Sequence, residues 1–396
     1  MPDGIDRDPD VNGRTIRAEV SVLSALTEVS PVDWDACAGS DDPFLSHAFL
    51  AALEESQSVS PQSGWMPRHL TVHDSDGRLV GAMPLYLKGH SYGEYVFDWG
   101  WADAFERAGG RYYPKLLSAI PFTPVTGPRL LAHPDVDRDR VEEVLVGGLV
   151  GLLDKLGVSS AHVNFPTRRQ WKRLGAFGFL QRVALQYHWE NRGYADFDEF
   201  LAALSSRKRK TIRKERRQVA ESDLTIHRLY GDAIEDRHWD AFYRFYIDTS
   251  DRKWGSPYLN RTFFALLGER LADRVLLVMA ERDGELVAGA LNLIGGTTLY
   301  GRNWGCSDDY KFLHFECCYY QAIDFAIEHG LSRVEAGAQG QHKIQRGYLP
   351  TETYSAHLIP HPGFHDAVAD FLKREQRGVT HEKAMLLRES PFRQDG

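Results

Sequence analysis

An internal repeat limits the fold of this 396-residue sequence more than any other feature, because a duplicated chain must form two similar modules. Four landmarks occur twice in the same order: a capped helix, a DG turn between strand-like runs, a long helix ending at glycine, and a Gly-aromatic-Leu string. The pairs are residues 43–55 and 257–269, 76–80 and 283–287, the helices ending at 157 and 330, and 178–180 and 347–349.

Each half has the order helix, antiparallel hairpin, further strand, long helix, strand, loop, strand. This order predicts an α/β (α+β) fold of two tandem modules, each with a mostly antiparallel mixed sheet flanked by helices. The chain length also exceeds that at which one core usually keeps growing. We predict a disordered tail at 1–15, an N-terminal domain at 16–189 and a C-terminal domain at 190–396.

Bulk composition narrows the function classes. Forty-seven Lys and Arg against 55 Asp and Glu give a net charge of −8, which argues against a protein that coats nucleic acid with its whole surface but allows a local basic patch. The first fourteen residues have no signal-peptide pattern, and the apolar run at 144–153 is too short to cross a bilayer. We therefore expect a cytoplasmic protein without a membrane span, and the four cysteines show no metal-ligand spacing.

A strongly basic segment lies at 196–219, where Asp196 and Glu199 are typical of a helix start. One face carries apolar residues at helical spacing, and the other sides carry eight basic residues within eleven positions. Such a density of positive charge favours an anionic partner, although a solvated helix balanced by carboxylates elsewhere remains open. The candidate phosphate-binding residues are Arg207, Lys208, Arg209, Lys210, Arg213, Lys214 and Arg217.

Aromatic residues alternate with charges and prolines at 98–128, a pattern that fits neither a simple amphipathic helix nor a strand. It suits a pocket wall that stacks on a ligand and hydrogen-bonds its rim, and it equally suits an aromatic core between domains. The candidate substrate-binding residues are Asp98, Trp99, Trp101, Tyr113, Lys115 and Thr123.

The string GAQGQHKIQRGYLP at 337–350 carries more basic side chains than a turn requires. At the repeat offset of 169, Lys343 corresponds to Leu174 and Arg346 to Phe177, so the first copy lacks these charges. This asymmetry indicates that the second half is the working one. Gln339 and Arg346 are candidate substrate-binding residues, and His342 and Lys343 are candidate catalytic residues.

The order of these elements and several strings resemble the tandem acetyltransferase-fold (GNAT) proteins of the Fem type, most closely the FemAB-like group. The strings include DWGWADAFERAGGRYYPKLLSAIPFTPVTGPRLL at 98–131 and HKIQRGY at 342–348. The resemblance implies an N-acyltransferase that uses aminoacyl-tRNA, with the basic segment as its tRNA-binding surface and Lys343 matching a lysine important for the reaction. Where acyl-CoA-using members carry a pyrophosphate-binding turn, this chain has Arg302-Asn303-Trp304-Gly305-Cys306-Ser307, and Arg302 becomes a further substrate-binding candidate.

Amide formation needs an unprotonated amine and a stabilised oxyanion. We expect Lys343 and backbone N–H groups to stabilise the oxyanion and His342 or Glu316 to relay the proton, although Glu316 also suits a helix start. No tightly bound cofactor is expected. The alternatives are an acyl-CoA-dependent transferase and a non-catalytic RNA- or glycan-binding protein. The amine acceptor, a cell-wall precursor or a natural-product scaffold, and the oligomeric state stay open.

Overall fold

The computed structural model describes residues 16–253, 257–337 and 340–393, so the predicted tail at 1–15 lies outside the described residues. The helices are α1 (Pro31–Ala38), α2 (His47–Glu55), α3 (Trp99–Arg107), α4 (Arg138–Leu156), α5 (Arg168–Ala176), α6 (Phe197–Ala203), α7 (Ser206–Ala220), α8 (Asp236–Lys253), α9 (Arg261–Leu271), α10 (Leu313–Phe315), α11 (Gln321–Glu328) and α12 (Pro362–Arg388).

The strands are β1 (Ile16–Leu23), β2 (Trp65–Pro67), β3 (His69–Asp74), β4 (Leu79–Met83), β5 (Tyr86–Lys88), β6 (Lys115–Ser118), β7 (Leu131–Ala132), β8 (Ala161–Asn164), β9 (Leu180–Glu190), β10 (Thr225–Tyr230), β11 (Val275–Arg282), β12 (Glu285–Ile294), β13 (Thr298–Cys306), β14 (Arg333–Glu335) and β15 (Leu349–Leu358). Both DG turns form hairpins, β3 with β4 and β11 with β12, as the repeat predicts.

The chain forms two compact units that are not contiguous in sequence. Unit 1 comprises Met1–Val183 and Tyr354–Arg374, and unit 2 comprises Ala184–Thr353 and Glu375–Gly396. The first break lies between residues 183 and 184, where the prediction placed it between 189 and 190, and residues 354–374 return to unit 1. There β15 pairs antiparallel with β8, and the start of α12 packs Phe364 and Val368 against Trp101. A repeat cannot reveal this return, since it aligns elements by order and not by contact.

Unit 1 contains two groups of paired strands. One has the order β1-β3-β4-β7 and is antiparallel throughout. The other contains β15, β8, β6, β5 and β2, where β6 and β8 are parallel and the remaining pairs are antiparallel. The apolar side of α4, including Leu145 and Leu149, packs on β3 and β4 in the main core of this unit.

Unit 2 contains one run of paired strands in the order β10-β11-β12-β13-β14-β9. Every pair is antiparallel except β13 with β14, which is parallel. The side chains of α7 and α11 and of the strands form its core, with Trp189, Phe200 and Phe325 buried. Both units therefore have the mostly antiparallel mixed sheet flanked by helices that the repeat predicts. The fold-class prediction is confirmed.

The basic segment forms two helices rather than the single helix its periodicity predicts. Asp196 caps α6 by accepting the N–H of Glu199 at 2.8 Å, as expected. The chain then leaves the helix at Leu204, whose φ and ψ of −86° and 158° are extended. Leu204 forms a β-bridge with Phe392, and the Ser205 N–H donates to Pro391 at 2.8 Å, so pairing with the C-terminal segment interrupts the helix.

No helix among the described residues is both long enough and apolar enough to cross a lipid bilayer.

A glycine fixes how closely α8 packs on β13. A Cβ added at Gly305 would lie 2.2 Å from the Phe245 carbonyl oxygen, and backbone cannot swing aside as a side chain can. We expect Gly305→Ala to lower the free energy of unfolding by about 1–3 kcal/mol through overpacking. The control is Gly378→Ala at an exposed position of α12, where an added Cβ meets nothing within 4 Å. Because alanine favours a helix more than glycine does, this change should raise the free energy of unfolding by about 0.5–1 kcal/mol. Urea titrations measure both, and a neutral Gly305→Ala would refute this close packing.

Candidate functional site

A small cavity of about 90 Å³ in unit 2 lies where the parallel strands β13 and β14 part. The two strands pair at Thr298–Tyr300 with Arg333–Glu335, but β13 continues to Cys306 while β14 ends at Glu335. We call this cavity the strand cleft. Its lining residues are Ala290, Leu291, Asn292, Gly301, Arg302, Asn303, Trp304, His314, Cys318, Tyr319 and Ala336.

A β-bulge shapes one wall of the strand cleft. Leu291 is opposite Asn303 and Asn292 is opposite Gly301, so Arg302 is the extra residue on β13. A bulge bends its strand, and bulges often occur beside active sites. The structure therefore places the predicted residue Arg302 on the cleft wall, in a segment whose backbone geometry differs from a regular ladder.

The helical segment after β13 supplies the opposite wall. It begins behind Phe312, a non-glycine residue with a φ of +65°, and passes through a π-helical stretch at Glu316–Tyr320. A π-helical turn shifts the following side chains around the helix and is frequent at functional sites. Tyr319 lines the cleft, and its hydroxyl lies 2.9 Å from Nε2 of His342.

His342 contacts the cleft through this tyrosine. Burial lowers the pKa of its imidazole below the ordinary value, and the charges of Lys343 and Arg346 lower it further. The ring also lies 6.1 Å from that of His314, another cleft residue. His342 is therefore neutral at neutral pH and able to accept a proton.

Lys343 is buried at the end of β14. Its Nζ donates to the carbonyl oxygens of Ala336 and Gly337 at 2.5 and 3.2 Å, and Ala336 lines the strand cleft. Burial lowers the pKa of the ammonium to about 8, with the neighbouring Cys318 acting in the opposite direction. Lys343 thus holds the backbone of the cleft wall, and its ammonium loses its proton at a lower pH than an exposed lysine does.

Arg346, predicted to bind substrate, forms a buried ion pair. Its Nη2 donates to both carboxylate oxygens of Glu215 at 2.9 and 3.0 Å, its Nε donates to Tyr320, and its guanidinium lies 3.4 Å from the centroid of the Phe315 ring. The Tyr320 hydroxyl also donates to Glu215. The guanidinium thereby ties the 3₁₀ turn at Gln341–Arg346 to α7. The turn closes at Gly347, where a φ of +92° favours glycine.

Glu316 does not join His342 and Lys343. Its Oε1 accepts from Arg216 at 3.0 Å and from Gln321 at 2.7 Å, while Oε2 is buried and has no hydrogen-bond partner among the described residues. It lines a separate surface pocket beside α7, together with Arg217. The expected proton-relay role for Glu316 therefore lacks the contacts that His342 has.

The basic side chains of α7 cover its outer surface. Arg213 pairs with Asp198 at 2.8 Å, and Arg217 lies 3.9 Å from Glu221. Within the described part of the chain, the other five predicted tRNA-binding residues form no ion pair with a carboxylate. They are Arg207, Lys208, Arg209, Lys210 and Lys214. Most of the positive charge on α7 is thus uncompensated locally.

In unit 1, Asp98, Tyr113 and Lys115 belong to one buried polar cluster. The Lys115 Nζ donates to Asp98, to Glu94 at 2.8 Å and to Ser91 at 2.8 Å, and the Tyr113 hydroxyl lies 2.8 Å from Ser91 Oγ. Burial raises the pKa of Glu94, whereas the Lys115 ammonium outweighs burial at Asp98 and lowers its pKa. The cluster is an internal ion pair network.

The other three predicted residues of unit 1 lie apart from one another. Trp99 is 42% exposed and its ring contacts Tyr92, whereas Trp101 is buried and lies edge-on to His357. Thr123 is buried in a turn, where its N–H donates to Ile120. The segment 98–123 therefore supplies core, surface and ion-pair residues, and the six candidates do not form one site.

Several cleft residues escaped prediction. Tyr319 and Asn292 belong to no motif, because the bulge and the π-helical turn that bring them to the cleft have no sequence signature. Gln339, predicted to bind substrate, lies outside the described residues. Among the described residues, no group of three or more His, Cys, Asp or Glu side chains could hold a metal ion.

Comparison with known proteins places the chain in a family. No curated protein matches it. Among solved structures it is similar to FemX, with 12% identity, a TM-score of 0.52, and coverage of 89% of this chain and 100% of that one. It is also similar to the C-terminal domain of a putative lysylphosphatidylglycerol synthetase from Agrobacterium fabrum, with 8% identity, a TM-score of 0.52, and coverage of 88% and 97%. A tandem GNAT protein from the clavulanic acid biosynthesis pathway matches at 13% identity and a TM-score of 0.45, over 86% of this chain and 98% of that one.

The two likenesses with TM-scores of 0.52 show the fold. The FemAB-like model, described as peptidoglycan biosynthesis/recognition, matches residues 25–394, and the chain therefore belongs to the FemAB-like family.

Proposed function

We propose that this protein is an N-acyltransferase that moves an aminoacyl group from aminoacyl-tRNA to the amine of an acceptor, with the strand cleft of unit 2 as its active site. The observation that carries the proposal is the strand cleft itself. It lies where the parallel strands β13 and β14 separate, and a β-bulge shapes one of its walls. His342 contacts it through Tyr319, and the buried Lys343, whose pKa is lowered, lies beside it. Family membership supports a transferase acting on a cell-wall precursor.

Direct transfer needs no enzyme nucleophile. The acceptor nitrogen forms a bond to the ester carbonyl carbon, the bond from that carbon to the tRNA ribose oxygen breaks, and the proton lost by the amine ends on the leaving oxygen. His342 accepts the amine proton through the Tyr319 hydroxyl and returns it to the leaving group. Burial raises the pKa of the Cys317 thiol well above its ordinary value, which argues against a thiolate intermediate.

Lys343 acts at the developing negative charge. Its ammonium fixes the end of β14 through Ala336 and Gly337, and because it is buried it supplies positive potential with little screening by water. Preorganised charge of this kind is commonly worth a factor of about 10²–10³ in turnover. Backbone N–H groups along the bulged part of β13 are the hydrogen-bond donors that we propose for the oxyanion.

Two observations favour aminoacyl-tRNA over acyl-CoA as the donor. The five α7 cations without a carboxylate partner among the described residues suit a phosphate backbone. Residues 307–312 separate β13 from the following helix, and α10 has only three residues before the π-helical stretch. A helix start of this form offers few aligned N–H groups to a pyrophosphate.

Titration of the purified protein with tRNA and with CoA, at about 50 and 200 mM salt, tests the donor. We expect tRNA binding that weakens steeply with salt. Replacing Arg207, Lys210 and Lys214 together by Glu should lower the slope of log K against log salt by about 2–3, since each lost phosphate contact removes about one unit. The matched control replaces three exposed cations of unit 1, Arg138, Lys155 and Lys172, by Glu.

Each alternative has its own outcome. Tight CoA binding without tRNA binding would make the protein an acyl-CoA-dependent transferase. An equal loss of tRNA affinity in the control would show that α7 has no special role. A protein that binds RNA or glycan but produces no amide with either donor would be a binding protein, contrary to the proposal.

A further inference from the structure

An apolar groove in unit 1 has no part in the proposed reaction. It encloses about 770 Å³ between α3 and the first turns of α12. Its walls include Trp101, Phe105 and Phe364, and the last two rings stack with centroids 4.3 Å apart. We call it the α3–α12 groove. Among the described residues that line it, His361 alone has a titratable side chain, so whatever enters must be largely uncharged.

The shape of the groove fits a small molecule better than a protein surface. Its volume lies within the range of about 300–1,000 Å³ that is usual for ligand pockets. Phe97 and Phe371, which are 59% and 38% exposed, extend its apolar surface at the edge. Gly100 and Gly363 keep the walls free of side chains, which leaves room for an elongated chain.

Positive charge lies at the edge of the groove. The Arg182 guanidinium lies 5.1 Å from the centroid of the Trp101 ring, and its Nη1 donates to the Phe97 carbonyl at 2.8 Å. The N-terminus of α12 reaches the groove at Gly363, and its first turn carries no acidic residue. On α3, Asp103 is exposed and pairs with Arg107 at 2.9 Å, so its charge is compensated. The edge therefore favours an anion.

We propose that the α3–α12 groove binds the hydrocarbon chain of a single-chain amphiphile whose head group is anionic. The apolar walls take the chain, and Arg182 with the N-terminus of α12 lies beside the head group. The groove belongs to unit 1 alone, so this proposal is independent of the acyl transfer proposed for unit 2.

Fluorescence titration of the full chain with a dansyl-labelled undecanoic acid tests it. We expect saturable binding at one site, displaced by decanoate at a concentration at least tenfold lower than by decanol. Gly100→Leu should weaken binding at least tenfold, because Gly100 lines the groove and an added Cβ there meets nothing within 4 Å. The control Gly151→Leu, at an exposed position of α4 that is equally open, should bind as wild type does. Circular dichroism melting checks that both variants fold.

Four results would overturn the proposal. They are the absence of saturable binding, a Gly100→Leu variant that binds like Gly151→Leu, equal displacement by decanol and decanoate, and a concentration-dependent dimer in sedimentation that Gly100→Leu abolishes. The last would mean that a second copy of the chain fills the groove. None of them bears on transfer, which the tRNA titration and the amide assay measure separately.

Discussion

Replacing Lys343 by Met should lower kcat by a factor of about 10²–10³ with little change in KM, because the lost charge acts in the transition state more than on bound substrate. Methionine keeps the length of the apolar stem but cannot donate to Ala336 and Gly337. The matched control is Lys311→Met, an exposed lysine in the same unit, which should leave turnover unchanged. Steady-state kinetics with a saturating acceptor measures both.

The pH profile separates a charge role from a structural one. Turnover needs His342 neutral and Lys343 protonated, so it should rise as pH passes the pKa of His342, below 6.5, and fall above about 8. Lys343→Arg keeps its proton at every working pH, so the falling limb should move to higher pH. If Lys343 only holds the backbone, the falling limb will stay in place in Lys343→Arg, and the role proposed for its charge is wrong.

Replacing Lys115 by Met should lower the free energy of unfolding by about 3–5 kcal/mol, the usual cost of leaving a buried carboxylate without its partner. Both Glu94 and Asp98 bind the Lys115 ammonium through one oxygen each, and their other oxygens are buried without hydrogen-bond partners in the described structure. The two carboxylates would therefore lose their main cation, since the buried Lys88 acts on Glu94 more weakly than Lys115 does. Urea titrations followed by circular dichroism measure the change.

Lys155→Met, on the exposed side of α4, is the matched control and should stay within about 0.5 kcal/mol of wild type. Adding Glu94→Gln to Lys115→Met removes one of the stranded charges and should restore part of the loss. A loss below about 1 kcal/mol for Lys115→Met alone would show that water reaches the cluster, and that these residues are open to a ligand as the sequence first indicated.

The repeat predicted the fold well because turns and caps are local. Asp76-Gly77 and Asp283-Gly284 form hairpins, and Gly157 ends α4 in the left-handed conformation. The prediction failed to describe the fold where a distant segment competes with local preference. The bridge from Leu204 to Phe392 splits the basic helix, and pairing of β15 with β8 moves residues 354–374 into unit 1.

The candidate site was predictable in composition but not in arrangement. The charge asymmetry between the repeats pointed to the segment that contains His342 and Lys343, and the structure places both residues beside the strand cleft. The same pattern pointed to Arg346, but a sequence cannot show that Glu215 lies opposite its guanidinium. Tyr319 depends on the π-helical turn at Glu316–Tyr320, which no periodicity marks.

The most direct test of the account is amide formation with the donors compared side by side. The full chain is incubated with mixed aminoacyl-tRNA or with acetyl-CoA, in the presence of a UDP-linked cell-wall pentapeptide precursor, and the product is analysed by mass spectrometry. The account predicts a product heavier by one aminoacyl residue with aminoacyl-tRNA, lost in Lys343→Met and kept in Lys311→Met. A product heavier by an acetyl group, formed with acetyl-CoA and not with aminoacyl-tRNA, would contradict it.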